Sequence, residues 1–169
     1  MNNKNTQEYQ PVELLIPCES DISDMVSFFV DQIGELKGRG LCTEEEEKEY
    51  IDWHTIESLR EKIVDPTRFF RLIRDSSGNI IAYFESKQHS TESATQVIQW
   101  ILVDKIHRNT RLSRKLCHEH RVWCRNNGHT TTIWSYVHKE NKESLLAHSN
   151  FRELRTRVGD KVLCVLSLK

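Results

Sequence analysis

Apolar side chains recur along this chain first at helical and then at strand spacing. Ile22, Met25, Val26, Phe29 and Ile33 fall three and four apart, on one stripe of a helix capped by Ser20 or Asp21 and ending at Gly34 or a little later. Ahead of it, residues 12–16 read as a short strand. After the loop Gly38-Arg39-Gly40, Thr43 and Glu46 form a capping box, and a second helix runs to about Val64 before Asp65-Pro66 stops it.

The middle of the chain is β-rich. Residues 68–74 and 79–86 are two strands joined by the turn Asp75-Ser76-Ser77-Gly78. Residues 96–103 form a third, apolar at nearly every position and so covered on both faces at the sheet centre. A helix follows over 110–127, with Leu112, Leu116, Val122 and Trp123 turned inward and Asn127-Gly128 ending it. Residues 130–137 form a strand and 142–148 a short helix; 151–157 and 161–168 are closing strands around Gly159-Asp160. The order β-α-α-β-β-β-α-β-α-β-β predicts an α/β (α+β) fold with a mixed sheet of about six to seven strands and four helices.

A chain of 169 residues with 37% hydrophobic and 29% charged residues suits one globular domain, preceded by a polar, flexible 1–10. The net charge of -1 provides no field for nucleic acid or an anionic membrane surface, and no apolar run is long enough to span a bilayer. A cytoplasmic protein is expected. The five cysteines are scattered and odd in number, against a disulfide framework. Cys117, His120 and Cys124 share a helix face, yet they lack the loop and knuckle spacing of a structural zinc site. They read as core cysteines beside surface histidines, with no metal. Glu44 to Glu47 read as a solvated helix start, with an acidic rim for a cationic acceptor as the alternative.

Chemistry concentrates after the third strand. Where a strand turns tightly into a helix, unpaired backbone N–H groups and the positive dipole end point at one spot, which suits an anion. Arg108, Arg111, Arg114 and Lys115 crowd that helix start, where cations are unfavourable unless something negative joins them.

The stretch Ile101-Leu102-Val103-Asp104-Lys105-Ile106-His107-Arg108-Asn109-Thr110-Arg111-Leu112-Ser113 resembles, without a gap, the strand-to-helix motif of the GNAT acetyltransferases. In that family, Leu-x-Val-x-Pro leads into Tyr/His-Arg-Gly-x-Gly-Ile-Gly. Asn141-Lys142-Glu143-Ser144-Leu145-Leu146-Ala147-His148, with Asn150-Phe151-Arg152-Glu153, is similar to a second motif of the family. The resemblance covers 97–153 by motif and 12–96 by element order. It departs at three glycines, replaced by Asn109, Arg111 and Ser113, and at the proline, replaced by Lys105. Asn tolerates left-handed backbone and Ser is small, whereas Arg111 either blocks the phosphate cradle or swings out to contact a phosphate.

The resemblance implies transfer of an acetyl or other acyl group from acyl-CoA to a small-molecule or peptide amine that attacks the thioester directly. The pyrophosphate would lie on Arg108, Asn109, Thr110, Arg111, Leu112, Ser113 and Arg114. The thioester arm would lie between splayed strands, beside Ile101, Leu102 and Val103, with Asn141 and Ser144 also at the cofactor. His148 stands where the family often has a proton-donating Tyr; Glu85, Gln99 or a water chain would serve as base. A homodimer is compatible with this. The alternative is a catalytically inactive binding or sensor module on the same fold, kept open by Arg111.

Overall fold

The computed structural model describes residues 13–148 and 154–168. Its centre is a six-stranded sheet of order β1-β2-β3-β4-β6-β5, formed by β1 (Arg68–Arg74), β2 (Ile80–Gln88), β3 (Thr95–Val103), β4 (Thr132–His138), β5 (Leu154–Val158) and β6 (Lys161–Ser167). Among the described residues only β3 and β4 pair in parallel, and the other strand pairs are antiparallel. The helices are α1 (Ile22–Gly38), α2 (Glu44–Asp52), α3 (Ile56–Ile63), α4 (Leu112–Asn126) and α5 (Lys142–Ala147). The 151–153 part of the strand expected over 151–157 lies outside the described residues.

Period-two alternation in the strands sorts side chains to two faces. Phe69, Phe84, Ile98 and Ile133 pack against Leu112, Leu116 and Cys124 of α4. Phe70, Leu72, Tyr83 and Leu102 meet Met25, Phe29 and Ile33 of α1 and Leu59 of α3.

Two expectations are corrected. The strand over 12–16 shrinks, among the described residues, to an isolated bridge in which Leu15 exchanges hydrogen bonds of 2.9 and 3.0 Å with Leu72. Ile16 is exposed and Pro17 has no N–H to continue the ladder. The second helix is broken into α2 and α3, so the described residues hold five α-helices where four were expected. Thr55 makes the break by capping α3, its hydroxyl accepting from Ser58 N–H at 3.2 Å. The break lets His54 turn inward, stacked on Phe29 with ring centroids 3.5 Å apart.

β3 carries one residue too many. Glu85 pairs with Trp100 and Ser86 with Ile98, which leaves Gln99 as a bulge. Before it, Thr95–Ile98 pair with Thr132–Ser135 of β4; beyond it β3 keeps only its β2 neighbour, while β4 continues along β6. The two parallel strands therefore separate into a wedge.

His118 is exposed as expected, but His120 is core. Its Nε2–H donates to Ser86 Oγ at 2.8 Å; Ser86 donates to Gln96 Oε1 at 3.1 Å, and Gln96 Nε2 to Thr67 O at 3.1 Å. Cys124 Sγ lies 3.4 Å from the same His120 nitrogen, and among the described residues no group of three or more ligating side chains is placed to hold a metal. Burial, with Arg121 adding to it, pulls the His120 imidazole down to about 3, and burial pushes the thiols of Cys117 and Cys124 up to about 12. The unfolded chain binds a proton at His120 near the ordinary 6.5 that the folded protein refuses until about 3, so this stability is complete above 6.5 and is lost as pH falls toward 3. Urea denaturation at about pH 7.5 and about pH 5 is expected to differ by roughly 2 kcal/mol through this group. His120→Gln, measured in the same way, should shrink that difference by most of that amount.

Candidate functional site

The mouth of the wedge opens into a cavity of about 380 Å³. Ile101, Leu102 and Val103 form one wall, the loop and first turn of α4 a second, α5 a third and α1 a fourth. Among the described residues, β3 has no strand partner on the β4 side beyond Ile98. The backbone of 101–103 is thus placed to pair with an extended ligand.

The loop adopts a glycine-like path without glycine. Asn109 and Arg111 have φ of 67° and 66°. Thr110 lies between them and does not line the cavity; its hydroxyl donates to His107 O, closing the loop. Arg111 is the N-cap of α4 and makes no side-chain cap, and the first turn of the helix carries no acidic residue. Leu112, Ser113 and Arg114 line the cavity at this helix start, where backbone N–H groups have no intrahelical acceptor. Among the described residues neither Arg111 nor Arg114 makes an ion pair, so a bound anion would meet two uncompensated guanidinium charges.

Arg108 is placed differently from expectation. It lines the cavity, but its guanidinium forms a two-pronged pair with Glu35 of α1 at 2.6 and 2.5 Å, and its Nε donates to Val103 O at 3.2 Å. Arg39, at the end of α1, reaches Glu143 of α5 at 3.3 Å and Glu35 at 3.9 Å. These contacts fasten α1 to the loop and to α5 across the cavity rim.

Asn141 and Ser144 line the cavity as parts of a helix cap, Asn141 Oδ1 accepting from Ser144 N–H at 3.1 Å. His148 is buried at the end of α5 and also lines the cavity. Its Nδ1–H donates to Ser144 O at 2.7 Å, which makes Nε2 the basic nitrogen of the neutral ring.

Glu85 stands apart from the cavity. Its carboxylate accepts from Arg68 at 2.6 Å, Tyr83 Oη at 2.8 Å and His54 Nε2 at 3.2 Å, with Lys62 Nζ 4.0 Å away. Burial pushes this carboxyl up, but the hydrogen bond from His54, the charge of Lys62 and the Tyr83 hydroxyl outweigh it and hold it below the ordinary range. With its oxygens so occupied, Glu85 is the hub of a buried ion-pair cluster and is poorly disposed to act as base. Gln99, the bulged residue, is half-buried. The sequence reading missed Gln32, Leu36 and Arg39, the α1 wall.

A six-stranded sheet that splays beyond a bulge, with a strand-loop-helix turn at the splay, matches solved structures over nearly its whole length. The PaiA N-acetyltransferase of Thermoplasma acidophilum, solved in complex with coenzyme A, superposes with a TM-score of 0.77 at 15% identity, over 94% of this chain and 99% of that one. This is the GNAT fold. A GNAT-family acetyltransferase of Staphylococcus aureus gives 0.73 at 15% identity, covering 94% and 99%. The ribosomal-protein-S5-alanine acetyltransferase of Vibrio fischeri gives 0.72 at 10%, covering 95% and 94%. No family model matches the chain, and no curated protein does. The GNAT fold is thus carried here by a sequence that replaces two loop glycines with left-handed Asn109 and Arg111.

Left-handed backbone costs a side-chain-bearing residue about 1 to 2 kcal/mol, and more where the side chain cannot hydrogen-bond locally as Asn does. Arg111→Gly is therefore expected to stabilise the protein by about 1 kcal/mol in urea denaturation, after the entropy of glycine is subtracted. An unchanged or lower midpoint would mean that the guanidinium returns that energy through contacts of its own.

Proposed function

We propose that the protein is an acyl-CoA-dependent N-acyltransferase acting on a small-molecule or peptide amine. One observation carries the reading: the wedge beyond the Gln99 bulge and the uncapped, acid-free start of α4 share a single cavity. That is the layout needed by a ligand that is an extended amide chain at one end and a diphosphate at the other. The residues fit such a group: Leu112, Ser113 and Arg114 at the helix start with Arg111 for the phosphates, and the strand edge of 101–103, without a strand partner on that side among the described residues, for the arm. That a protein of the same fold is described with coenzyme A bound supports the choice.

The thioester supplies an activated acyl carbon. Transfer forms a bond from the amine nitrogen to that carbon and breaks the carbon–sulfur bond; the amine gives up a proton and the departing thiolate takes one. His148 is the group in this cavity suited to carry a proton, through Nε2, while Ser144 O holds Nδ1–H and fixes the ring. With Glu85 engaged by Arg68, Tyr83 and His54, the amine proton leaves through water in the wedge.

Calorimetric titration with CoA and acetyl-CoA tests the reading. Micromolar binding is expected, weakened about tenfold in Arg114→Ala through loss of a charge-assisted contact. No binding by the native protein, with binding gained in Arg111→Gly, would favour the inactive binding module instead. Glu35→Gln, which releases Arg108 for the phosphates, is expected to tighten CoA binding by about threefold or more. If it weakens binding, the Arg108–Glu35 pair acts as a preformed support.

A further inference from the structure

Gln32 is 7% exposed, lines the cavity and, among the described residues, has no hydrogen-bond partner for its side-chain amide. Its amide is not sealed away but reaches the cavity, so a carboxamide that the protein leaves unpartnered is open there to a ligand. His54, the buried polar side chain stacked on Phe29 one turn before Gln32, is not in this condition, since both its ring nitrogens meet protein oxygens. Gln32 sits on the apolar side of α1, three residues after Phe29 and next to Ile33, and faces the β3 wall where Leu102 lies. One turn further along α1, Glu35 holds Arg108 of the phosphate loop, so Gln32 lies about 5 Å inward from the ionic end of the cavity.

We propose that Gln32 is a binding residue for the amide-bearing arm of the ligand, donating to and accepting from a secondary amide. The inference rests on the acyl-CoA reading of this cavity. A carboxamide carries both a donor and an acceptor and no charge, which suits an amide better than a phosphate. Leu36, four residues on, continues the same helical stripe, so α1 offers the ligand an amide followed by an apolar contact. β3 provides backbone amides on the opposite wall, and the arm would be held from both sides.

The test compares two ligands that share a diphosphate but differ in the arm. CoA and ADP are titrated calorimetrically into the native protein, Gln32→Leu and Gln32→Glu, with thermal denaturation of each. Gln32→Leu is expected to lose about tenfold in CoA affinity, leave ADP affinity unchanged, and melt at the same temperature or higher, because it removes a buried polar group without a protein partner. Gln32→Glu, which keeps the shape but loses the donor, should also bind CoA more weakly than the native protein and ADP no better. Equal losses for both ligands, or a lower melting temperature in Gln32→Leu, would mean that Gln32 supports the fold and would overturn the proposal. CoA affinity unchanged in both variants would overturn it as well while leaving the acyl-CoA reading intact. If the native protein binds ADP but gains nothing from the arm of CoA, or binds neither, the acyl-CoA reading itself fails and this inference falls with it.

Discussion

The rest of this structure depends on how Gln99 is accommodated. A parallel pair holds together only while the N–H and C=O groups of the two strands stay in register, and one extra residue on β3 ends that agreement after Ile98. β2 follows β3 and β6 follows β4, so the sheet opens in its interior instead of at an edge. Backbone groups that would be buried and paired are instead presented to a cavity, and the fold tolerates this because the cavity is open, so solvent or a ligand can reach them.

Much of this was readable from the chain, for identifiable reasons. β1, β2 and β3 alternate or run apolar and are bounded by Pro66, the Asp75–Gly78 turn and the loop before Thr95, so their limits emerge within about two residues. The loop wall of the cavity was readable because its residues lie close together in sequence, between Ile101 and Arg114. The break between α2 and α3 was not, because it depends on His54 finding Glu85, thirty-one residues away in sequence. The fate of Arg108 was hidden for the same reason: its partner Glu35 lies on an element whose charged side reads as solvent-facing. Gln32 did leave a trace, a polar residue at an apolar position of the α1 stripe.

The charges in the site divide by role. Arg108 and Arg39 are tied to carboxylates and join α1 to the loop and α5, whereas Arg111 and Arg114 are left to the cavity. Glu85, which looked like reactive equipment, gathers Arg68, His54 and Lys62 under α3 and fixes the corner from which Trp100 leads into the wedge. Buried clusters of this kind stabilise through geometry more than through net energy, since each charge must first be desolvated.

The rim and the floor of the cavity are held by different forces. The floor is a backbone ladder, indifferent to dissolved ions, while α1 meets the loop and α5 across the opening through partly exposed carboxylate–guanidinium pairs that salt screens. Dissolved salt therefore weakens the ties across the entrance while leaving the ladder beneath it and the apolar seat of α1 unchanged.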